Sequence, residues 1–358
     1  MADRIAIVGA GVSGLTCGVT FAEQGYPVAI FAEETGQHTT SAAAAAIWYP
    51  YDAEPAEKVI AWPLETYKII VDLSRDERSG VSMIELRTFS RTSEISIPEW
   101  ARALGAHRLH ASSVATGLRP VSDRSQRGDS KSVIPNEEAV NPPRREASLI
   151  VSRNFSSGFS LKVPLTDTTI YLDYLTHRFV AAGGQINSDV RFAKLEDVSR
   201  DFDLVVNCAG IGAKTLVHDS DLEAHRGQVA IVPKIDGLTC AIVCDDAPLM
   251  YAIPRANDCV FGGTNEVSDD RGADPAVTSR ILAECSRVLN IDEPKVLHER
   301  VGLRPFRKSG VRVDCGNLDD GRSVIHNYGH GGSGFTLSWG CAQKVLALAG
   351  AAVVGSED

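Results

Sequence analysis

The chain opens with a pattern of apolar and polar positions that predicts a strand, a helix and a second strand. Residues 5–8 form a continuous apolar run, which is typical of a buried strand in a parallel sheet. A helix-like segment follows from Leu15 to Gln24, and a second apolar run covers residues 28–31. Glu33 lies just beyond that run. This order predicts a βαβ unit.

The turn between the first strand and the helix carries the spacing of a dinucleotide-binding loop, with Gly9, Gly11 and Gly14 in the G-x-G-x-x-G pattern. In such a loop the first glycine permits a tight turn, the second lets the backbone approach a pyrophosphate, and the third lets the helix pack on the strand. The helix N-terminus offers N–H groups and partial positive charge to the phosphates. Glu33 is placed to bind a ribose. These features predict a bound dinucleotide but do not separate NAD from FAD.

Two further segments indicate contacts with the same ligand. Hydroxyl residues at 39–41 precede five alanines at 42–46. This run suits backbone lying against a flat ligand, although an alanine-rich helix with a hydroxyl N-cap is the alternative. The apolar run 204–206 leads into a turn at Asn207–Gly210. That turn indicates a strand that ends at the cofactor, or an ordinary strand end.

The middle and the end of the chain differ in pattern from the start. From Arg226 to Thr264 short strands and turns alternate, which predicts an antiparallel sheet and a substrate-binding domain interleaved with the nucleotide domain. Near the end, glycines open a helix-like run from Leu337 to Val353. Its N-terminus could stabilise the negative charge of a reduced flavin. Residues 120–146 are polar and rich in proline, and predict a mobile surface insertion.

Composition narrows the class of protein. A chain of 358 residues suggests two domains. The net charge of −10 argues against a nucleic-acid binder, which needs clustered cations. The eight cysteines are scattered without a CxxC pair, so we expect reduced thiols and no metal site. No apolar run approaches the roughly 18 residues of a membrane span, and we expect no signal peptide and a cytoplasmic location.

Four blocks of sequence together resemble the D-amino-acid oxidase family: residues 8–14, 39–51, 302–307 and 326–332. The resemblance implies an α/β fold, in which a Rossmann-like FAD-binding domain is interleaved with an antiparallel-β substrate domain. The implied ranges are 1–80, 156–215 and 300–358 for the FAD-binding domain, 81–112 and 216–299 for the substrate domain, and 113–155 for the mobile insertion.

The resemblance also implies a reaction. FAD would accept a hydride at flavin N5 from a small D-amino acid, and the products would be a 2-oxo acid, ammonia and hydrogen peroxide. Oxygen would be the second substrate, and the oligomeric state, monomer or homodimer, stays open. Related activities on glycine, an N-substituted glycine or D-aspartate are alternatives. A non-catalytic dinucleotide-binding protein is an alternative of another class.

Particular residues take implied substrate-binding roles. Arg307 would bind the substrate carboxylate, because its planar guanidinium suits bidentate binding. The Tyr251 hydroxyl would contact the same carboxylate, with simple core packing as the alternative. The Gly332 carbonyl would accept from the substrate amine, and Asn265 would lie near the substrate. The reaction needs no acid or base residue, so His326 and His330 are expected to be structural.

The implied FAD contacts come from three of the four blocks and from residues outside them. They are Gly9, Ala10, Gly11, Val12, Ser13, Gly14, Glu33, Thr39, Thr40, Ser41, Ala46, Trp48, Phe192, Gly331, Gly334, Phe335 and Thr336.

Overall fold

The computed structural model describes residues 3–51, 61–109 and 155–354. The predicted insertion at 113–155 lies outside these residues except for its last position. The described strands, in chain order, are β1 Ile5–Val8, β2 Val28–Phe31, β3 Val81–Ser90, β4 His107–Arg108, β5 Ser157–Thr166, β6 Gln185–Asn187, β7 Leu204–Asn207, β8 Leu222–Pro233, β9 Cys240–Cys244, β10 Met250–Pro254, β11 Asp258–Gly262, β12 Glu266–Val267, β13 His298–Arg307, β14 Arg312–Asn317 and β15 Ser323–Tyr328. The described helices are α1 Val12–Ala22, α2 Ala61–Leu73, α3 Glu99–Ala103, α4 Thr168–Ala181, α5 Ala213–Leu216, α6 Pro275–Leu289 and α7 Gly334–Val354.

The first sheet contains the predicted βαβ unit. Among the described residues its strand order is β14-β15-β7-β1-β2-β6, and all neighbours are parallel except β14 and β15. The strands β1 and β2 are almost wholly apolar because helices cover them, with α1, α4 and α7 contributing to one core. Phe21, Ile30 and Phe179 are fully buried in that core. The carboxyl ends of β1, β2 and β7 therefore meet at one edge, where ligands bind in open α/β sheets.

The second sheet is mostly antiparallel, as the strand-and-turn pattern predicted. Its described strands follow the order β12-β8-β11-β10-β9-β3-β5-β4, and β13 pairs with the other edge of β8. One neighbouring pair, β3 and β9, is parallel, so the sheet is mixed rather than purely antiparallel. Helix α6 covers one face and packs Ile281 and Cys285 with apolar residues of β10 and β11. The opposite face turns towards the first sheet.

Two strands lie in a different sheet from the one that their predicted ranges imply. Residues 157–166 were expected in the FAD-binding domain, but β5 pairs with β3 in the second sheet. Residues from 300 onwards were expected there as well, but β13 pairs with β8 along ten residues from His298 to Arg307. Hydrogen bonding between strands distant in sequence decides these assignments. The correction places the 302–307 motif on the second sheet.

No described helix combines the length and the apolar character needed to cross a membrane. Within the same residues no cluster of His, Cys, Asp or Glu side chains is arranged to hold a metal ion. All eight cysteines are free thiols, and Cys315 alone among them is exposed.

Candidate active site

A cavity of about 810 Å³ lies between the first sheet and the open face of the second. Ligand sites measure about 300–1,000 Å³, so this one suits a large ligand together with a small one. The turn after β1, the residues after β2 and the turn after β7 line one part of it. Residues of β8, β10 and β13 line another part. The cavity thus joins the predicted dinucleotide loop to the predicted substrate domain.

The glycine loop after β1 has the close approaches that the motif requires. Gly9 has φ +109°, and a Cβ there would lie 2.4 Å from the Cys208 carbonyl oxygen. A Cβ on Gly14 would lie 1.9 Å from the Gly9 carbonyl oxygen. Gly9, Ala10, Gly11, Val12 and Ser13 line the cavity, whereas Gly14 does not. Gly14 is therefore corrected from a ligand contact to the residue that lets α1 pack against the loop.

The run from Thr39 to Tyr51 lies beside that loop and is not an α-helix. It contains one short 3-10 turn, Thr40–Ala43, and a second such turn, Gly36–His38, comes just before it. The Ser41 hydroxyl accepts from the Val12 N–H at 2.9 Å, which ties the run to the start of α1. Thr39, Thr40, Ser41 and Ala46 line the cavity.

Trp48 was predicted to contact FAD, but it does not line the cavity. Its ring is buried and packs edge-on against Tyr67 and Trp100. Its indole N–H donates to the Pro63 carbonyl at 3.2 Å. Trp48 therefore belongs to the core that supports the cavity wall.

A second helix N-terminus faces the cavity at the start of α7. The helix begins at Gly334, and Gly331, Gly334, Phe335 and Thr336 all line the cavity, as does Gly332. The Thr336 hydroxyl donates to the Tyr49 carbonyl at 3.1 Å and lies 3.2 Å from the Tyr49 N–H, which donates to it. Residues at the N-termini of both α1 and α7 therefore line one cavity, and their contact with a ligand stays a prediction.

Glu33 and Phe192 line the end of the cavity that is formed by residues beyond β2 and β6. Glu33 forms an exposed ion pair with Arg191 at 3.4 Å. The Phe192 ring packs on Phe31 with centroids 5.7 Å apart. Arg271, from the loop between β12 and α6, pairs with Glu34 at 2.8 Å and also lines this end.

Arg304 and Tyr251 form the polar part of the substrate end. The Arg304 Nη1 donates to the Thr264 carbonyl at 2.9 Å and to Asn265 Oδ1 at 3.2 Å. Burial raises the pKa of the Tyr251 hydroxyl, and the nearby charge of Arg304 acts in the opposite direction. Within the described part of the chain, no carboxylate pairs with Arg304. Its guanidinium is thus held in place without being neutralised.

Arg307, the predicted carboxylate ligand, lies elsewhere. It does not line the cavity, and its Nε donates to Asp219 Oδ2 at 2.9 Å while its Nη1 donates to the Gly310 carbonyl at 3.1 Å. Arg304 and Arg307 are three positions apart on β13, and successive side chains of a strand point to opposite faces. The prediction for Arg307 is therefore wrong, and Arg304 is the arginine that the sequence reasoning missed.

Asn265 also differs from its prediction. It does not line the cavity, and it contacts Arg304 through its side-chain oxygen. Asn265 therefore contacts Arg304 instead of the cavity.

Comparison with known proteins decides the family. The model of the family described as DAO, FAD dependent oxidoreductase, matches residues 4–348. The chain belongs to this family. It is 35% identical to a D-amino-acid oxidase of Rubrobacter xylanophilus over 98% of this chain and 97% of that protein. It is 28% identical to the D-aspartate oxidase of Homo sapiens over 96% and 94%.

A solved structure supports the fold of this oxidoreductase. The glycine oxidase from Geobacillus kaustophilus superposes with a TM-score of 0.76 at 17% identity, covering 98% of this chain and 95% of that one. The predicted α/β class and the FAD cofactor are confirmed. The cavity fits that cofactor, because the residues of the glycine loop before α1 and the glycines at the start of α7 both line it. The residues that would hold FAD are those of the glycine loop, Glu33, Thr39–Ser41 and the start of α7.

Replacing Glu33 by Ala should weaken FAD binding about tenfold or more, because hydrogen bonds to a charged group contribute about 1.5–3 kcal/mol. Titration of the apoprotein with FAD, followed by quenching of flavin fluorescence, measures the dissociation constant. The matched control is Glu34→Ala, which also removes an acid of this end but not the one expected to bind ribose. Equal weakening by both variants would contradict the assignment.

His326 and His330, the two histidines of the 326–332 block, are buried and neutral. Burial lowers the pKa of His326 to about 4, with help from the Arg312 charge, and burial lowers that of His330 to about 4. His330 Nε2 lies 3.0 Å from Asn327 Oδ1, and His326 Nδ1 lies 3.4 Å from the Asn207 amide. These contacts support the expected structural roles.

The free energy of unfolding should fall as the pH drops from about 6.5 towards about 4, because unfolded histidines take up protons there while the folded ones resist. For each histidine the loss between pH 7 and pH 5 should be about 2 kcal/mol. Urea unfolding at both pH values measures it. His330→Gln should show a smaller loss than the unaltered chain, and an identical loss would contradict this account.

Proposed function

We propose that the oxidoreductase catalyses oxidative deamination of D-amino acids to 2-oxo acids, ammonia and hydrogen peroxide. The observation that carries this proposal is Arg304, a guanidinium without an acidic partner among the described residues, in one cavity with the dinucleotide loop. FAD, when bound, supplies the acceptor for the hydride of the substrate α-carbon and passes the electrons to oxygen.

The residues of the chain would act by holding the amino acid in place. Arg304 can bind the carboxylate through its two-pronged guanidinium, and the Tyr251 hydroxyl adds a second donor at the same end. The Gly332 carbonyl is the proposed acceptor for the substrate amine, since Gly332 lines the cavity. Fixing both groups sets the orientation of the α-carbon, and orientation can supply a large part of the rate enhancement.

Relatives support the reaction class and also give the alternatives. Proteins named D-amino-acid oxidase from Rubrobacter xylanophilus and Streptomyces coelicolor align along almost the whole chain. D-aspartate oxidase and glycine oxidase are other activities among its relatives and structural neighbours. We also propose that the first sheet belongs to an FAD-binding domain and the second sheet to a substrate-binding domain. A cytoplasmic location and a homodimer are further parts of this proposal.

A substrate panel with peroxide detection tests the function. The purified, FAD-loaded protein is mixed with D-amino acids, their L-enantiomers, glycine and N-methylglycine. We expect peroxide from several D-amino acids and at most a trace from the L-enantiomers. Peroxide from glycine or N-methylglycine alone would favour the neighbouring amine-oxidase activity, and absence of peroxide and of bound flavin would favour a non-catalytic protein.

A further inference from the structure

A carboxylate lies in the cavity that none of the roles above uses. Asp245 follows the last residue of β9 and lines the cavity together with Tyr49 and Tyr51. The Tyr49 hydroxyl donates to Asp245 Oδ2 at 2.7 Å. The Tyr49 and Tyr51 rings are stacked, with centroids 6.4 Å apart and planes 18° apart. Asp245 therefore has a fixed position beside an aromatic wall.

The charge of Asp245 is not balanced by a neighbouring cation. Across residues 3–51, 61–109 and 155–354, no Lys, Arg or His forms an ion pair with it. The adjacent Asp246 has different partners, because its carboxylate accepts hydrogen bonds from the Ser90 hydroxyl and the Arg91 N–H. Asp245 is an exposed residue at the cavity wall, so a solute in the cavity can reach its carboxylate. Partial desolvation, and then the charge of Asp246, raise the pKa of Asp245. A cation brought into the cavity beside Asp245 would stabilise its negative charge, and would thereby offset both its partial desolvation and the repulsion from Asp246.

The sheet register places Asp245 on the far side of Tyr251 from Arg304. Val243 of β9 is the direct partner of Tyr251 of β10, and Asp245 is two residues further on, so it shares the face of Val243. The Tyr251 ring leans the other way, over Gly262 of β11, where a Cβ would lie 2.1 Å from it. Arg304, whose charge acts on the Tyr251 hydroxyl, lies beyond β11 and β8 on β13. An amino acid whose carboxylate is bound at Arg304 would therefore extend a long side chain past Tyr251 towards Asp245.

We infer that Asp245 selects D-amino acids with a long, positively charged side chain, of the arginine and lysine class, and disfavours acidic ones. This inference rests on the proposed function and names the substrate class of the same site. The aliphatic stem would pack along the Tyr49 and Tyr51 rings, and the cationic head would pair with the Asp245 carboxylate. The Asp245 carboxylate would also repel the acidic side chains of D-aspartate and D-glutamate, so the preferred substrates would differ from those of a D-aspartate oxidase.

The test compares D-arginine with D-citrulline, which has nearly the same shape but a neutral head. For the FAD-loaded protein, we expect kcat/KM for D-arginine to exceed that for D-citrulline about tenfold or more. Asp245→Asn keeps an oxygen that accepts from Tyr49 and removes the charge, and should bring the ratio close to one. Asp246→Asn is the matched control, because it removes the neighbouring charge outside the cavity lining and should keep the ratio above about fivefold.

Each outcome decides the inference. A ratio near one in the unaltered protein, or a ratio that Asp245→Asn leaves unchanged, overturns it. D-methionine is included as a neutral substrate of similar length. If D-methionine yields peroxide while the D-arginine preference is missing, the substrate class is wrong and the proposed function stands. If no D-amino acid yields peroxide, the proposed function itself fails. Flavin absorbance of each variant confirms that it is folded and loaded.

Discussion

Replacing Arg304 by Leu should reduce kcat/KM for every D-amino acid substrate by several hundred-fold or more. The substrate carboxylate would enter the cavity without its cation, and an unpaired charge in such a site costs about 3–5 kcal/mol. The loss should appear both as a higher KM and as a lower kcat, because the guanidinium also orients the α-carbon. Steady-state peroxide production across a range of substrate concentrations measures it.

Arg307→Leu is the matched control, because it removes an arginine of the same strand that lies outside the cavity lining. It should leave kcat/KM within about threefold but lower the free energy of unfolding by about 2 kcal/mol, since it breaks the hydrogen-bonded pair with Asp219. A variant of Arg304 with full activity, or one of Arg307 with the larger catalytic loss, would reverse the assignment of the two arginines.

Gly14→Ala should abolish FAD binding in any protein that still folds. The new Cβ would lie 1.9 Å from the Gly9 carbonyl oxygen, so α1 would have to move away from the glycine loop. Such overpacking against backbone costs about 1–3 kcal/mol or more, and it distorts the loop that is to receive the pyrophosphate. The flavin-to-protein absorbance ratio of the purified variant and its thermal unfolding midpoint measure the two effects.

Gly25→Ala provides the comparison. It follows the same helix and has φ +84°, but a Cβ there has no atom within 4 Å. The substitution should cost about 1 kcal/mol of backbone strain and leave the flavin content unchanged. Equal flavin loss in both variants would indicate a general loss of stability and would contradict a specific role for Gly14.

Local pattern was sufficient for the parts of the fold that are close in sequence. The apolar runs at 5–8 and 28–31 with their glycine loop predicted the βαβ unit, and the glycines near 331–334 predicted the start of α7. The sheet membership of β5 and β13 could not be read in this way. β13 pairs with β8 across separations of 67 to 85 residues, from His298 with Ile231 to Arg307 with Leu222, and only hydrogen bonding in the folded chain reveals such a pairing.

Some site residues could likewise be identified from local pattern, whereas others depend on contacts between distant segments. Strand alternation could have separated Arg304 from Arg307, because an interval of three positions turns two side chains to opposite faces once β13 is known to be a strand. Trp48 carried no local signal for its burial against Tyr67 and Trp100, which come from distant segments. The sequence alone likewise did not predict that Asp245 lines the cavity, because its position depends on the register of β9 with β10 and on its hydrogen bond with Tyr49.

Anaerobic mixing of the FAD-loaded protein with an amino acid tests the central claim most directly, because it records electron transfer to the cofactor without depending on oxygen or on product release. The account predicts that a D-amino acid bleaches the yellow flavin band within one turnover, that its L-enantiomer leaves the band intact, and that Arg304→Leu slows the bleaching several hundred-fold or more. Bleaching at equal rates by both enantiomers, or undiminished bleaching in the Arg304 variant, would contradict it.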